Sequence, residues 1–206
     1  MDGTLVDSAS AIHRAWARWA VRTGVEQPEL QRALGGTSID TIRALVPEGS
    51  IDEAHARFLD DSAATAASVR AVSGAEALLG SLPEGSWGVV TSSTRHEAEL
   101  RMRAARLPCP RLLVTADDYA AGKPAPDPYL VALDAFGVDA EATLTFEDSP
   151  TGIRSAVAAG IRVIGVATYL PPRALDVPVV IADFTGVRAA PTLQGDLDVD
   201  VEALVP

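Results

Sequence analysis

The chain has a single lysine, a single cysteine and no long apolar run, and each scarcity closes a class of function. With Cys109 alone, an internal disulfide framework and a multi-cysteine zinc site are both excluded, and a cytoplasmic location is the default expectation. No stretch approaches the roughly 20 consecutive apolar residues of a membrane span. The N-terminus carries an acid at position 2 and no basic segment leading into an apolar one, so it does not read as a secretory signal. Positive charge is scarce as well. Against 28 Asp and Glu stand 17 Lys and Arg, and a net charge of -11 argues against nucleic acid as a general partner, because backbone binding draws on clustered cations.

What remains is a chain of 206 residues that is 48% hydrophobic, enough for a real core in one domain or in a domain with an insertion. Arginine supplies every basic residue except Lys123. A lysine kept against that background points to a need for its compact ammonium. From Ala9 to Thr23 the spacing of Ile12, Ala15, Trp16, Trp19 and Ala20 predicts an amphipathic helix ended by Gly24, with the tryptophans in packing roles. Residues 28–72 read as further helices with little strand character. Beyond Ser73, strands are expected at 87–90, 111–114, 142–146, 162–166 and 177–181. Helices are expected at 75–82, 95–105, 129–136 and 153–159. His13, His55 and His96 are isolated and show no ligand-like spacing. The acidic tail after Ala190 receives no role.

Four stretches carry chemistry: MDGTLVDS at 1–8, VVTSS at 89–93, GKPAPDP at 122–128 and FEDSPTG at 146–152. Gly3 permits a tight turn, and Asp7 or Ser8 is suited to cap the helix that follows. Thr91 and Ser92 fall at a strand's carboxyl end, where open α/β sheets bind ligands and where a hydroxyl either binds phosphate or caps a helix. Adjacent Glu147 and Asp148 repel each other unless a cation sits near them. Magnesium suits such a pair, since it favours oxygen ligands and is held by one or two carboxylates together with phosphate.

Together these stretches resemble the haloacid dehalogenase-like (HAD) phosphohydrolases, in the branch of small sugar-phosphate phosphatases and beta-phosphoglucomutases. The resemblance covers nearly the whole chain. It implies an α/β fold, with a Rossmann-like parallel sheet core flanked by helices and an inserted all-helical cap. Residues 1–7 and 75–206 would form the core and 8–74 the cap. It also implies Mg2+ as cofactor, ligated by Asp148 directly, by Glu147 through water and by the backbone carbonyl of Asp2. Thr91 and Lys123 would bind the transferred phosphoryl group. The Asp2 side chain would act as general acid and then as base.

Ser92 is a substrate-binding candidate, as are Thr37, Ser38 and Arg43 in the cap stretch 34–45. The alternative for Thr37 and Ser38 is a capped helix start. The mutases of this branch place an arginine close after the glycine of that stretch. Here Ser38 and Ile39 stand in the matching region, which favours hydrolysis of a small phosphorylated metabolite over isomerisation. A phosphohexomutase and a non-catalytic phosphometabolite-binding protein stay open.

In the family the first motif reads D-x-D-G-T, and its first aspartate is the nucleophile. Met1 stands at the x and Asp2 at the second aspartate. The expectation is therefore an apolar strand ending in Asp upstream of Met1, without which the 206 residues should turn over little phosphate ester and be poorly stable. A monomer or weak dimer is expected.

Overall fold

Apolar spacing in the first third of the chain produces a helical layer with its own core. In a computed structural model, which describes residues 1–34, 36–192 and 196–204, helix α1 (Ala9–Thr23) buries Ala11, Ala15, Trp16, Trp19 and Ala20 along one face. Gly24 ends it in the left-handed region at φ 76°. Helices α2 (Gln27–Ala33), α3 (Ser38–Arg43) and α4 (Ile51–Thr65) follow. Trp16 stacks on Phe58 of α4 with ring centroids 4.0 Å apart, and meets Trp19 edge-on at 5.4 Å. The Trp19 indole donates to the Ala54 carbonyl at 2.8 Å. Both tryptophans thus serve packing, as their spacing predicts.

This helical segment leaves and rejoins the rest of the chain side by side. Strand β1 (Val6–Asp7) pairs antiparallel with β2 (Arg70–Ala71), Val6 opposite Ala71 and Asp7 opposite Arg70. The sequence shows no strand pattern at 70–71, because a two-residue ribbon is too short to carry a period.

After α5 (Ala75–Ser81), strands and helices alternate: β3 (Gly88–Val90), α6 (Arg95–Ala104), β4 (Leu112–Val114), α7 (Asp127–Phe136), β5 (Leu144–Glu147), α8 (Pro150–Ala158), β6 (Arg162–Val166) and β7 (Val180–Ile181). The expected strand at 177–181 shrinks to its last two residues, since Pro178 has no N–H to give to a ladder. A hairpin of β8 (Val187–Pro191) and β9 (Leu197–Val201) closes the chain, with Val187 buried and Val199 and Val201 packed on the core. The tail therefore has a packing role that its acidic composition conceals.

The parallel sheet is in two pieces, β3–β4 and β5–β6–β7. Among the described residues no ladder joins β3 to β5. Yet Val89 and Leu113 of one piece and Ile164, Val166 and Ile181 of the other share a single apolar cluster with Met1 and Val6. Helices flank these sheets in an α/β fold. Among the described residues no helix is long and apolar enough to cross a membrane.

Candidate active site

Met1 to Val6 forms a tight turn in which the Met1 carbonyl accepts from the amides of Thr4, Leu5 and Val6. Gly3 holds φ 74°, and a Cβ there would overlap the Asp148 carboxylate, so the turn passes directly against that side chain. Thr4 Oγ1 donates to Asp148 Oδ1 at 2.7 Å. Burial pushes the Asp148 carboxyl above its ordinary range, and neighbouring Glu147 adds to this. The Met1 amino group and the Thr4 hydroxyl oppose the shift without cancelling it.

Asp2 faces the other way. Its Oδ1 accepts from Ser8 Oγ at 2.6 Å, and its Oδ2 from Ser93 Oγ at 2.9 Å and Arg101 Nη1 at 3.0 Å. Burial alone would raise this carboxyl. Arg101, the Met1 amino group and the two serines outweigh burial and hold it below its usual value. Because Ser8 is engaged by Asp2, it does not cap α1. Tyr169 Oη does so instead, accepting from the amides of Ser8 at 3.0 Å and Ala9 at 3.1 Å while donating to Asp7 at 2.6 Å.

Glu147 is the last residue of β5 and is buried. Its Oε1 accepts from the Lys123 ammonium and, at 2.5 Å, from Tyr129 Oη. Burial works to raise its carboxyl, but Lys123 leads a set of contacts that lower it overall. Helix α8 starts against this side chain because Gly152 has no Cβ to strike it. Ser149 caps that helix by accepting from the Gly152 amide at 3.1 Å.

Thr91, just past β3, is buried and accepts from the Ser93 amide at 3.2 Å. It is not the cap of α6. Thr94 takes that place in a reciprocal capping box with Glu97, which leaves Thr91 outside the helix start. The first and fourth motifs meet where Gly3 and Thr4 lie against Asp148, and the third joins them through the Lys123 ammonium on Glu147. The second motif joins through Ser93 to Asp2.

A cavity of about 120 Å³ lies between this cluster and the helical segment, lined by Trp16, Ser38 and Phe58 of that segment and by Ser92, Ser93 and Arg101. Thr37 and Arg43 are not in its lining. Thr37 caps α3 by accepting from the Asp40 amide at 3.2 Å, and Arg43 faces solvent 3.8 Å from Asp40. Thr4 and Ser93 fall inside the motifs without an assigned role, and Arg101, Tyr129 and Tyr169 lie outside the four stretches. The Glu97–Arg101 spacing of four on a capped helix is the one sequence signal for any of them.

Among the described residues no group of three His, Cys, Asp or Glu side chains could hold a metal ion. The donors at hand are all oxygens. Glu147 is engaged by Lys123 and Tyr129, whereas among the described residues Asp148 has no cationic side chain as hydrogen-bond partner. That set fits a magnesium ion, which needs one or two carboxylates and keeps several waters.

Residues 1–166 match the haloacid dehalogenase-like hydrolases, and the chain belongs to that family. It is a phosphoric monoester hydrolase by class. Hexitol phosphatase A of Escherichia coli (strain K12) is 34% identical over 204 residues, covering 96% of this chain and 94% of the relative. Validoxylamine A 7'-phosphate phosphatase of Streptomyces hygroscopicus subsp. limoneus is 34% identical over 203 residues, covering 91% and 93%. CbbY from Rhodobacter sphaeroides, in complex with phosphate, shares the fold with a TM-score of 0.77 at 23% identity, over 89% of this chain and 92% of that one.

Proposed function

We propose that this chain hydrolyses the phosphate monoester of a small sugar or polyol, with residues 8–74 acting as a cap over the site. The observation that carries the reading is the convergence of the four motifs: Gly3 and Thr4 lie against Asp148, Lys123 bonds Glu147 beside it, and Asp2 bonds Ser93, which in turn bonds Thr91. The adjoining cavity supports a neutral, hydroxylated leaving group. Among its described lining residues the cation is Arg101, whose guanidinium is already bonded to protein groups, and Arg43 lies outside. A second phosphate would find no free cation there, which favours hydrolase over mutase. The two curated relatives act on a hexitol phosphate and on a validoxylamine phosphate by name, and both names suit that leaving group.

Transfer of a phosphoryl group is catalysed mainly by positioning and charge neutralisation. Lys123 and Thr91 hold the transferred group. The Asp2 carboxylate, held ionised by Arg101, Ser8 and Ser93, is set to take a proton from the water that attacks phosphorus; to serve the departing alcohol as general acid it must first gain a proton and release one of those partners. Bound magnesium, on Asp148 and through water on Glu147, would supply positive charge to the phosphoryl oxygens.

We assign the nucleophile to an aspartate preceding Met1, at the end of a strand between β3 and β5. Attack by its carboxylate gives an aspartyl phosphate, and water restores it. The unjoined sheet pieces over one apolar core support that place.

The test compares the 206-residue chain with one carrying an apolar strand ending in Asp before Met1, on hexitol, pentitol and glycerol phosphates with magnesium. Magnesium-dependent release of phosphate and free polyol by the extended chain is expected. Isomerised ester without phosphate would favour the mutase, and binding without release by either form would favour a non-catalytic binder. Either result overturns the proposal.

A further inference from the structure

We propose that Arg101 is a positioning residue that fixes the Asp2 carboxylate and ties its orientation to the seating of the helical segment. The consequence for rate rests on the phosphatase reading, whereas the coupling itself does not. Arg101 sits on α6 with 4% of its surface exposed. A guanidinium is tolerated out of water only when paired and hydrogen-bonded, and here the pairing divides in two directions. One nitrogen, Nη1, donates to Asp2 Oδ2 at 3.0 Å and to Ser93 Oγ at 2.8 Å, both in the active cluster. The other, Nη2, donates to Glu97 Oε1 at 2.8 Å and to Ser62 Oγ at 3.2 Å, the latter on α4 of the helical segment.

A purely structural arginine would be served by Glu97 alone, four residues back on the same helix. Its planar fork instead spans two layers of the fold, which a lysine ammonium cannot do with the same geometry. A second thread runs beside it, since Ser38 Oγ of α3 lies 3.4 Å from Glu97 Oε2. Displacing α4 removes one partner of Nη2 and loosens the plane that holds Asp2. The proton-transferring group is then set only while the helical segment is seated.

The variants are Arg101→Lys, Arg101→Met and Ser62→Ala, with amide exchange followed in the 206-residue chain. Arg101 variants should speed exchange at residues 1–8 and 51–65 together. Ser62→Ala, which keeps the guanidinium, should speed both by about fivefold, the equivalent of one hydrogen bond. In the strand-extended chain, both Arg101 variants should lower kcat at least about tenfold, with Ser62→Ala about fivefold, while inhibition by inorganic phosphate is unchanged because Lys123 and Thr91 hold that group. A Ser62→Ala chain with unaltered exchange at 1–8 overturns the coupling. Equal losses of kcat and phosphate affinity in Arg101→Lys overturn the positioning role. If neither chain length releases phosphate from any ester, the phosphatase reading is what fails, and exchange alone decides the coupling.

Discussion

Tyr129 Oη lies 2.5 Å from the Glu147 oxygen that also takes the Lys123 ammonium, so one buried acceptor serves two donors, one from the loop before α7 and one from the first turn of α7 itself. The ammonium also sits 5.0 Å from the centre of the Tyr129 ring. Tyr129→Phe keeps the ring and deletes the phenolic donor, leaving a buried carboxylate short of one partner. The expected loss is about 1–3 kcal/mol in the urea unfolding free energy. An unchanged midpoint would show that Lys123 alone satisfies Glu147.

The sequence makes Lys123, Glu147 and Asp148 visible because their types and loop positions are unusual for a solvated surface. Tyr129 is invisible for the opposite reason. An aromatic at the start of an apolar helix is what core packing alone would place there, and nothing in its spacing distinguishes a phenol aimed at a carboxylate. Arg101 is hidden in the same way among the other arginines of α6. Helix α1 matches its predicted bounds because the pattern runs through several turns with Gly24 at its end. Strand β5 runs one residue past its expected end and takes in Glu147, because a charged residue looks like loop until a lysine and a tyrosine are brought to it. Which hydroxyl caps a helix is equally hidden. Thr94 rather than Thr91 caps α6, and Thr37 rather than Ser38 caps α3.

Acid should unfold the protein partly through Glu147. Burial would raise its pKa, but Lys123 and its other partners hold the folded value below the ordinary 4.5. A carboxyl depressed on folding stabilises above its unfolded pKa, and that stabilisation is lost as pH falls through the folded value. Glu147→Gln should therefore lower stability at pH 7 and flatten the fall of the urea midpoint below pH 4.5. The flattening will be partial, because Asp2 is depressed too. A fall as steep as in the parent chain would remove Glu147 from the acid response.

Asp148 has the opposite sign. Its folded pKa is raised above 3.8, chiefly by burial. Its contribution is thus fully present below 3.8 and is lost as pH rises through the folded value, so the ionised group costs stability at neutral pH. Asp148→Asn should raise the Tm at pH 7 without magnesium. Magnesium should raise the Tm of the parent chain, by the equivalent of about 2.7 kcal/mol at a hundredfold excess over Kd. The asparagine variant should show no such gain, and an equal gain in both would place the ion elsewhere.

Gly3 and Gly137 separate backbone strain from steric overlap. Their φ angles are 74° and 66°, but a Cβ at Gly137 meets open space while one at Gly3 overlaps Asp148. Gly137→Ala should cost about 1 kcal/mol through conformation alone. Gly3→Ala should cost more and also abolish the magnesium-induced rise in Tm, because the carboxylate must move. Equal losses in the two variants, with the metal response intact, would mean that the turn gives way and Asp148 stays.

Arg43 and Ser38 discriminate a hydrolase from a mutase within the same stretch of helix. Arg43 is largely exposed and pairs only loosely with Asp40, so Arg43→Ala should leave kcat/KM of the strand-extended chain within about twofold, as surface changes of up to about 0.5 kcal/mol do. Ser38 lines the cavity, so Ser38→Ala should raise KM for a polyol phosphate about fivefold, the equivalent of one hydrogen bond. A hydrolase meets an uncharged leaving group in that cavity and has no use for the guanidinium outside it. A mutase must hold a second phosphate, so a loss of kcat/KM well beyond twofold in Arg43→Ala would show that this guanidinium reaches the substrate and would overturn the hydrolase reading.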